Sequence, residues 1–234
     1  MHAHLEDMPK RIRLSSRERR RAIVTAVQGS FAEKGFDGTT TRELARAAGV
    51  SEALLYKHFP SKESLYAAML DACADGPAAN EFSRVLTLPP STSTLVVLVH
   101  FLTSHFVQCE DLQKTTMHRL ALRSLLEDAD FVRLGTKQFG ASWVRKVEAC
   151  MKAAVKTGDV KATPSRRDLR PWFVHHLAFG LMLHLQPKVP IVDYGIPRSA
   201  LVVQAVRFLL RGMGLEEAAI RRHYHPETLS RLAL

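Results

Sequence analysis

The chain has 234 residues, of which 46% are hydrophobic and 24% are charged, and these proportions are ordinary for a globular protein. A chain of this length can bury enough apolar surface to fold without disulfide bonds or a structural metal ion. The formal net charge of +10 is unusual and favours a polyanionic partner, either nucleic acid or an anionic membrane surface.

Cysteine spacing and hydropathy narrow the class further. Cys73, Cys109 and Cys150 lie far apart without a C-x-x-C pair, which indicates reduced thiols rather than a disulfide framework or a zinc site. The most apolar run, Leu95 to Val107, is interrupted by polar residues and falls short of the ~20 apolar residues that span a bilayer. No apolar signal-peptide segment follows the basic N-terminus. We expect a cytoplasmic protein with no membrane partner.

Residues 1–14 are predicted to form a flexible basic arm. Its basic residues continue into the first helix, and the run comprises Lys10, Arg11, Arg13, Arg17, Arg19, Arg20 and Arg21. A solvated tail and an arm that binds DNA phosphates or enters the minor groove are both compatible with this composition.

The first predicted helix follows the arm. Ser15 and Glu18 have the spacing of a capping box, and Gly35 is a suitable stop at the other end. Small and apolar residues recur with helical spacing in between, and these are Ile23, Ala26, Val27, Ser30 and Phe31. The pattern predicts an amphipathic helix that buries this face.

Two short helices joined by a tight turn are predicted next. Thr40 and Glu43 form a second capping box at the start of a helix over 42–48. The turn at 49–51 is Gly-Val-Ser, in which glycine permits the sharp bend and serine caps a helix over 52–58. A short helix, a turn containing glycine and a second short helix form the pattern of a helix-turn-helix.

The sequence from 39 to 65 resembles the DNA-binding signature of TetR-family regulators. The resemblance rests on Gly49-Val50-Ser51, on Leu55-Tyr56-x-His58-Phe59, and on Lys62 followed by Leu65. It covers about a quarter of the chain. It implies an all-α protein in which an N-terminal helix-turn-helix head, a three-helix unit, sits on a larger helical domain for ligand binding and dimerisation. The expected boundaries are 1–14 for the arm, 15–75 for the head and 76–234 for the larger domain.

The second helix of this motif is expected to read DNA. Leu55 and Phe59 are four residues apart and face inward, and residues near a recognition helix's N-terminus lie close to base edges. The candidates for base-side contacts are Ser51, Glu52, Ala53 and Lys57. Glu52 has two interpretations, an acceptor for a cytosine amino group or a solvated carboxylate at a helix start.

Phosphate contacts are implied by the resemblance. The residues concerned are Thr40, Tyr56, His58 and Lys62, and such contacts position a protein on DNA without reading its sequence. Thr41 and Arg42 are expected near the DNA backbone or a groove edge, and Arg17 represents the basic run. For Tyr56 the alternative is packing against the first helix.

The remaining sequence is predicted to be helical. After a fourth helix that begins at Ser61 and ends at Gly76-Pro77, further helices are expected near 93–109, 112–127, 130–157, 166–186 and 197–212. The tail from 215 onward is not explained by the family pattern, and we expect one extra helix there.

The last two long helices are apolar on more than one face, which indicates an interface beyond the core of one chain. In TetR-family proteins the corresponding pair forms a four-helix bundle with its copy in a homodimer. The predicted interface residues are Phe173, Leu177, Leu181, Val202, Val206 and Leu209.

A small-molecule effector is also implied by the resemblance. An aromatic lining with a few polar groups suits an apolar or amphipathic ligand, and the candidates are His105, Phe106, His118, Phe139, Trp143, Trp172, His176 and Phe179. The alternative for each is a place in the core. Arg119 and Arg123, four residues apart, have two interpretations, a pair that binds an anionic effector or a solvated helix face. The histidine pairs do not share helix faces, so neither a metal site nor a cofactor is predicted.

These features predict a sequence-specific transcriptional regulator, a repressor that an effector releases from a palindromic operator. A ligand-dependent activator of the same family stays open. An enzyme is disfavoured because the sequence contains no G-x-S-x-G, no H-E-x-x-H and no phosphate-binding glycine loop. A protein that coats DNA non-specifically is the third alternative.

Overall fold

The computed structural model describes residues 14–74, 77–108, 112–127, 129–161, 168–187 and 189–229. Its regular elements are helices, which confirms the predicted all-α class. In chain order they are α1 (Ser16–Lys34), α2 (Thr41–Ala47), α3 (Glu52–His58), α4 (Lys62–Ala74), α5 (Pro77–Thr87), α6 (Thr92–Val107), α7 (Leu112–Leu126), α8 (Asp130–Gly135), α9 (Ala141–Lys156), α10 (Arg170–Leu185), α11 (Arg198–Gly212), α12 (Glu217–His223) and α13 (Pro226–Leu229).

Helix α1 begins and ends as its sequence predicts. The Ser15 hydroxyl accepts from the backbone of Glu18, and the Glu18 carboxylate accepts from the backbone of Ser15, so the capping box is complete. At the other end Gly35 has φ +76°, and a Cβ there would lie 2.2 Å from a carboxylate oxygen of Glu127. The backbone conformation therefore favours glycine, and a larger residue would also have to displace the flexible Glu127 carboxylate.

The buried face of α1 differs in part from the predicted stripe. Ile23, Val27 and Phe31 are buried as predicted, but Ala26 is exposed. Val24 is buried instead, because α1 packs against α2, α4 and α7 and so presents more than one face to neighbours.

The helix-turn-helix forms as predicted, with α2 one residue earlier than expected. The second capping box, Thr40 with Glu43, is present at the start of α2. The turn places Gly49 at φ +63°, and the Ser51 hydroxyl accepts from the backbone N–H of Leu54 to cap α3.

Helix α5 was not predicted. The sequence Gly76-Pro77 indicates the end of a helix, but Pro77 is the first residue of a new one. Proline is well suited to that position because the first turn of a helix has no use for its missing N–H. The break itself, at residues 75 and 76, lies outside the described residues.

Helix α6 is the centre of the larger domain and contacts α9, α10, α11 and α12. Leu95, Leu98 and Val99 on this helix have no exposed surface. The helix predicted over 130–157 is a run from Asp130 to Lys156 that includes a π-helical turn at Thr136–Gly140. Helix α10 begins at Arg170, after two described residues, 168 and 169, that are not helical; the predicted start at 166 lies outside the described residues.

Up to residue 229, where the description of the tail ends, the tail contains two short helices where one was expected. Asp159, 6% exposed, accepts from the Thr92 hydroxyl at 2.6 Å and from the Arg222 guanidinium at 3.1 Å. The Tyr224 hydroxyl lies 3.3 Å from Nδ1 of His100 on α6. These contacts fix α12 against the start and middle of α6.

The structure also bears on the predictions for the cysteines and for membrane spans. Cys150 is buried and reduced, whereas the thiols of Cys73 and Cys109 lie outside the described side chains. Within the described residues no helix is long and apolar enough to cross a bilayer.

Candidate DNA interface and effector cluster

Helix α3 has one buried and one exposed face. Leu55 and Phe59 are 3% and 1% exposed and belong to the core of the head, whereas Tyr56 is 47% exposed. Lys57 and Ala53 are exposed as well. The predicted inward pair is thus confirmed, and the alternative that Tyr56 packs against α1 does not fit its exposure.

Glu52, at the start of α3, contacts two residues of α2. The Thr41 hydroxyl donates to the Glu52 carboxylate at 3.4 Å, and Nε of Arg42 lies 3.5 Å from its other oxygen. These are long contacts at a half-exposed carboxylate, so they orient Glu52 without saturating it. Glu52 is therefore not simply solvated, and its carboxylate can still accept a further hydrogen bond. Its contact with a cytosine amino group stays a prediction.

Thr40 is a helix cap first. Its hydroxyl donates to the Glu43 carboxylate at 3.0 Å and accepts from the Glu43 backbone at 3.3 Å. Lys34 donates to the same carboxylate at 2.6 Å, and these contacts lower the pKa of Glu43 to about 2. The arrangement holds the exposed Thr40 at the start of α2, a position from which it can meet a phosphate.

Lys62 has a structural role that the sequence did not predict. Its ammonium donates to the carbonyls of Phe36 at 2.9 Å and Thr39 at 3.1 Å, and lies 4.3 Å from the centre of the Phe36 ring. An ammonium has three N–H donors, so one donor is left for a phosphate. Lys62 thus ties the α1–α2 loop to α4, and its phosphate contact stays a prediction.

Arg20 supports the recognition helix from α1. Its guanidinium donates to the carbonyl of His58, the last residue of α3, and lies 4.1 Å from the centre of the Phe59 ring. The sequence indicates Arg20 only as one member of a basic run. Arg17, in the same run, is exposed, whereas Lys10, Arg11 and Arg13 lie outside the described residues.

An aromatic cluster forms where α6, α7 and α10 meet, and Phe106 is at its centre. The Phe106 ring lies 5.6 Å from His118, 5.6 Å from His175 and 5.7 Å from Phe179, measured between ring centroids. Among the described residues, the cluster comprises His105, Phe106, His118, Trp172, His175, His176 and Phe179. Six of the eight predicted effector residues are therefore brought together.

The other two predicted effector residues lie elsewhere. Trp143, 3% exposed, packs in the main core of the larger domain, which corrects its assignment to the cluster. Phe139 is half-buried in the π-helical turn, and among the described rings it contacts none of the cluster.

His175 is the member that the predicted set left out. Burial, with a smaller contribution from the neighbouring His176, lowers the pKa of His175 to about 4, so its imidazole is neutral at pH 7. Its buried Nδ1 has no hydrogen-bond partner within the described part of the chain. A ligand with a polar group could meet this atom. No three metal-binding side chains come together among the described residues.

Comparison with known proteins bears on the head, which contains the candidate DNA interface. Residues 23–69 match the family described as "Bacterial regulatory proteins, tetR family", and this match spans α1 to the middle of α4. The head of this chain, over residues 23–69, is thus of the TetR type.

Two curated relatives match part of the chain. The chain is 25% identical over 140 residues to the uncharacterized HTH-type transcriptional regulator YuxN of Bacillus subtilis, covering 58% of this chain and 40% of that protein. It is 44% identical over 45 residues to IcaR of Staphylococcus aureus, a negative transcriptional regulator of the biofilm operon icaADBC, covering 19% and 24%. The chain thus matches less than half the length of these relatives.

Structural similarity extends over most of the chain. The crystal structure of AibR in complex with isovaleryl coenzyme A and operator DNA superposes with a TM-score of 0.61 at 18% identity, covering 82% of this chain and 97% of that one. At this level of identity the similarity shows the fold.

Helices α7 and α8 join the cluster to the TetR-type head. His118 of α7 contacts Phe106, while Leu120 of the same helix is fully buried in the core of the head. Phe131 of α8 meets Tyr66 of α4 edge to face, with 5.3 Å between ring centroids. A change around Phe106 therefore has a short packed route to the head.

Half of the predicted dimer interface is wrong, because three of its six residues are buried within the chain. Val202, Val206 and Leu209 are at most 5% exposed and pack in the chain's own core against α6, so a partner cannot reach them. Phe173 on α10 and Phe208 on α11 are 60% and 64% exposed. Leu177 and Leu181 are half-buried. The sequence could not say which apolar face of α11 the core would take.

Proposed function

We propose that this protein is a homodimeric transcriptional repressor of the TetR family that binds a palindromic operator. The observation that carries the proposal is the division of α3: Leu55 and Phe59 anchor the helix in the head, and Tyr56 and Lys57 face solvent. A helix held in this way can enter a major groove with its outer face towards the bases.

The proposed DNA contacts divide by role. Base edges would be met by Ser51, Glu52, Ala53 and Lys57, which lie on the first turns of α3 or on its outer face. Phosphates would be met by Thr40, Thr41, Arg42, Tyr56, His58, Lys62 and Arg17. Arg20 would act indirectly, because it holds the end of α3 rather than reaching DNA.

The effector is proposed to bind among the rings around Phe106. Those rings would contact an apolar or amphipathic molecule, and the unpartnered Nδ1 of His175 would meet its polar group. An acyl-coenzyme A thioester is a reasonable first probe, because AibR was crystallised with isovaleryl coenzyme A. Binding would move α7 and α8 relative to the head and lower DNA affinity, through differential affinity for the two states.

The dimer is proposed to form through the outer face of α10 and α11. Phe173 and Phe208 expose large apolar surfaces there, and burying them against a second copy would remove them from water. A two-fold dimer also matches a palindrome, since each recognition helix meets one half-site.

The protein is proposed to act by binding and not by catalysis, in the cytoplasm where bacterial DNA lies. The curated relatives are named as regulators, and IcaR is a negative one, which favours repression over activation.

Selection of bound sequences from a random duplex library at physiological salt tests this function. A repressor of this kind enriches a palindrome and binds it roughly 10³-fold or more tightly than scrambled DNA. A protein that coats DNA non-specifically enriches nothing and shows only a steep salt dependence. The second outcome would refute the proposal.

A further inference from the structure

A cavity of about 250 Å³ opens between α11 and α12, and neither proposed site above uses it. It is lined by Arg207, Arg211, Glu217, Ile220, Arg221 and Tyr224. Three of these six side chains are cationic and one is anionic. A concave surface with such an excess of one charge concentrates the opposite charge from solution.

The positive charge of this cavity is only partly neutralised. Arg211 forms an ion pair with Glu217. Arg207 and Arg221 form no ion pair or side-chain hydrogen bond with any residue in the described part of the chain. The cavity therefore keeps two guanidinium groups whose donors are available to a ligand.

The guanidinium groups converge rather than disperse. Arg207 and Arg211 are one turn apart on α11, a spacing at which like charges repel each other. Arg221 approaches from α12. The carboxylate of Glu217 is affected by all three: its pKa is lowered chiefly by the bond to Arg211 and further by the charges of Arg221 and Arg207. Three cations around one carboxylate repel each other, and a second anion would reduce this repulsion.

The walls of the cavity are held in place by the core. Tyr224, 4% exposed, forms part of the lining and contacts His100 of α6 through its hydroxyl at 3.3 Å. Ile220 is also buried, and Arg222 next to Arg221 binds the buried Asp159 at 3.1 Å. Helix α12, which carries Arg221, is thus packed against the core, and buried residues form the base of the cavity.

We propose that this cavity binds a small phosphate-bearing anion through Arg207 and Arg221, with Arg211 completing the set. Planar guanidinium groups offer pairs of N–H donors that match the oxygens of phosphate. The volume lies below the ~300 Å³ at which pockets for drug-sized molecules begin, so a compact ligand is expected, such as free phosphate, diphosphate or a small phosphate monoester.

Calorimetric titration of the full chain tests this proposal directly. The probes are inorganic phosphate, pyrophosphate and glycerol phosphate, each at an ionic strength held constant with potassium chloride. The variants are R207Q/R221Q and, as the matched control, R84Q/R145Q, which removes two exposed arginines of the larger domain. All four positions are exposed, so the fold should survive in both.

The expected result is saturable binding of one anion per chain that is weakened roughly tenfold or more in R207Q/R221Q and unchanged in R84Q/R145Q. Tighter binding of glycerol phosphate than of inorganic phosphate would assign the site to a phosphorylated metabolite; equal or weaker binding would assign it to free phosphate.

Two results would overturn the proposal. Binding of equal strength in R207Q/R221Q would place the anion elsewhere, for example on the basic head. No binding by the natural protein, together with a changed sedimentation coefficient for R207Q/R221Q, would mean that carboxylates of a second copy occupy the cavity.

Discussion

Tyr66 and Phe131 meet edge to face with 5.3 Å between their ring centroids, and both rings are buried. Tyr66 belongs to α4 of the DNA-binding head, whereas Phe131 belongs to α8, more than sixty residues later in the chain. Tyr66 also meets Phe31 and Phe36 edge to face, at 4.7 and 4.8 Å. The core of the head is therefore completed by a residue of the larger domain, and a shift of α8 must disturb it.

Phe131→Leu is expected to weaken the coupling between effector and DNA. The smaller side chain keeps the core apolar and costs about 1 kcal/mol of stability, but it loses the ring contact with Tyr66. Operator affinity without effector should change little, and the reduction of that affinity by a saturating effector should become smaller. Leu134→Ala, at an exposed position of the same helix, is the control and should behave like the natural protein. An unchanged effector response in Phe131→Leu would exclude this contact from the route.

Lys57→Gln is expected to weaken operator binding without affecting the fold. Lys57 is exposed on the outer face of α3 and forms no ion pair or side-chain hydrogen bond with the described residues, so its substitution should remove only a DNA contact. Affinity should fall by about 1–3 kcal/mol if Lys57 reads a base, and the loss should be confined to particular operator positions. Lys156→Gln, at the end of α9, provides the matched loss of charge far from the head. Equal behaviour of the two variants would remove Lys57 from the interface.

Lys62→Gln is expected to lower stability as well as DNA affinity. The ammonium binds two carbonyls of the α1–α2 loop, and losing both bonds should cost on the order of 1–3 kcal/mol. Chemical denaturation should therefore separate Lys62→Gln from Lys57→Gln. If Lys62→Gln unfolds at the same denaturant concentration as the natural protein, the two carbonyl contacts contribute nothing to stability.

The two buried imidazoles should make the fold sensitive to mild acid. Burial lowers the pKa of His100 to about 4, and the pKa of His175 is also about 4, whereas both groups titrate near 6.5 in the unfolded chain. The unfolded chain thus binds more protons between pH 6.5 and 4, so stability should fall as pH falls through this window. Urea denaturation at pH 7.5 and pH 5 measures the effect.

Substitution of one of these histidines tests the cause of that sensitivity. His175→Phe should reduce the difference in stability between pH 7.5 and pH 5, because one of the two proton-binding groups is gone. His184→Phe, at an exposed position of the same helix, should leave the difference as it is. A natural protein that is equally stable at both pH values would contradict the assigned pKa values.

Phe208→Glu is expected to yield a folded monomer. The ring is 64% exposed in the single chain, so a carboxylate there is tolerated by the core and excluded from an apolar interface. Val206→Asp is the contrasting variant: Val206 is fully buried, so it should destabilise the chain itself. Analytical ultracentrifugation and circular dichroism distinguish the two. A dimeric Phe208→Glu would place the interface elsewhere.

Local sequence signals predicted the head well and the larger domain less well. The two capping boxes, the Gly49 turn and the bounds of α3 depend on residues within a few positions of one another, and they were predictable. Helix α5 was missed because a proline that ends one helix also suits the first turn of the next.

Contacts between residues distant in the chain could not be predicted from the sequence. Nothing near Lys62 or Arg20 indicates that their cations bind carbonyls of Phe36 and His58. Likewise, α11 is apolar on two faces, and only the position of α6 decides that Val206 faces the core while Phe208 faces outward. Residue types alone predicted most of the aromatic cluster. They did not indicate that Trp143 packs in the core or that His175 belongs to the cluster.

Fluorescence anisotropy with the palindrome obtained from selection tests the central proposal most directly. At physiological salt the natural protein should bind this duplex roughly 10³-fold or more tightly than a scrambled duplex of the same composition. Tyr56→Ala should lose most of its affinity for the palindrome while keeping its helical content. Equal affinity of the natural protein for the two duplexes would contradict sequence-specific recognition by α3.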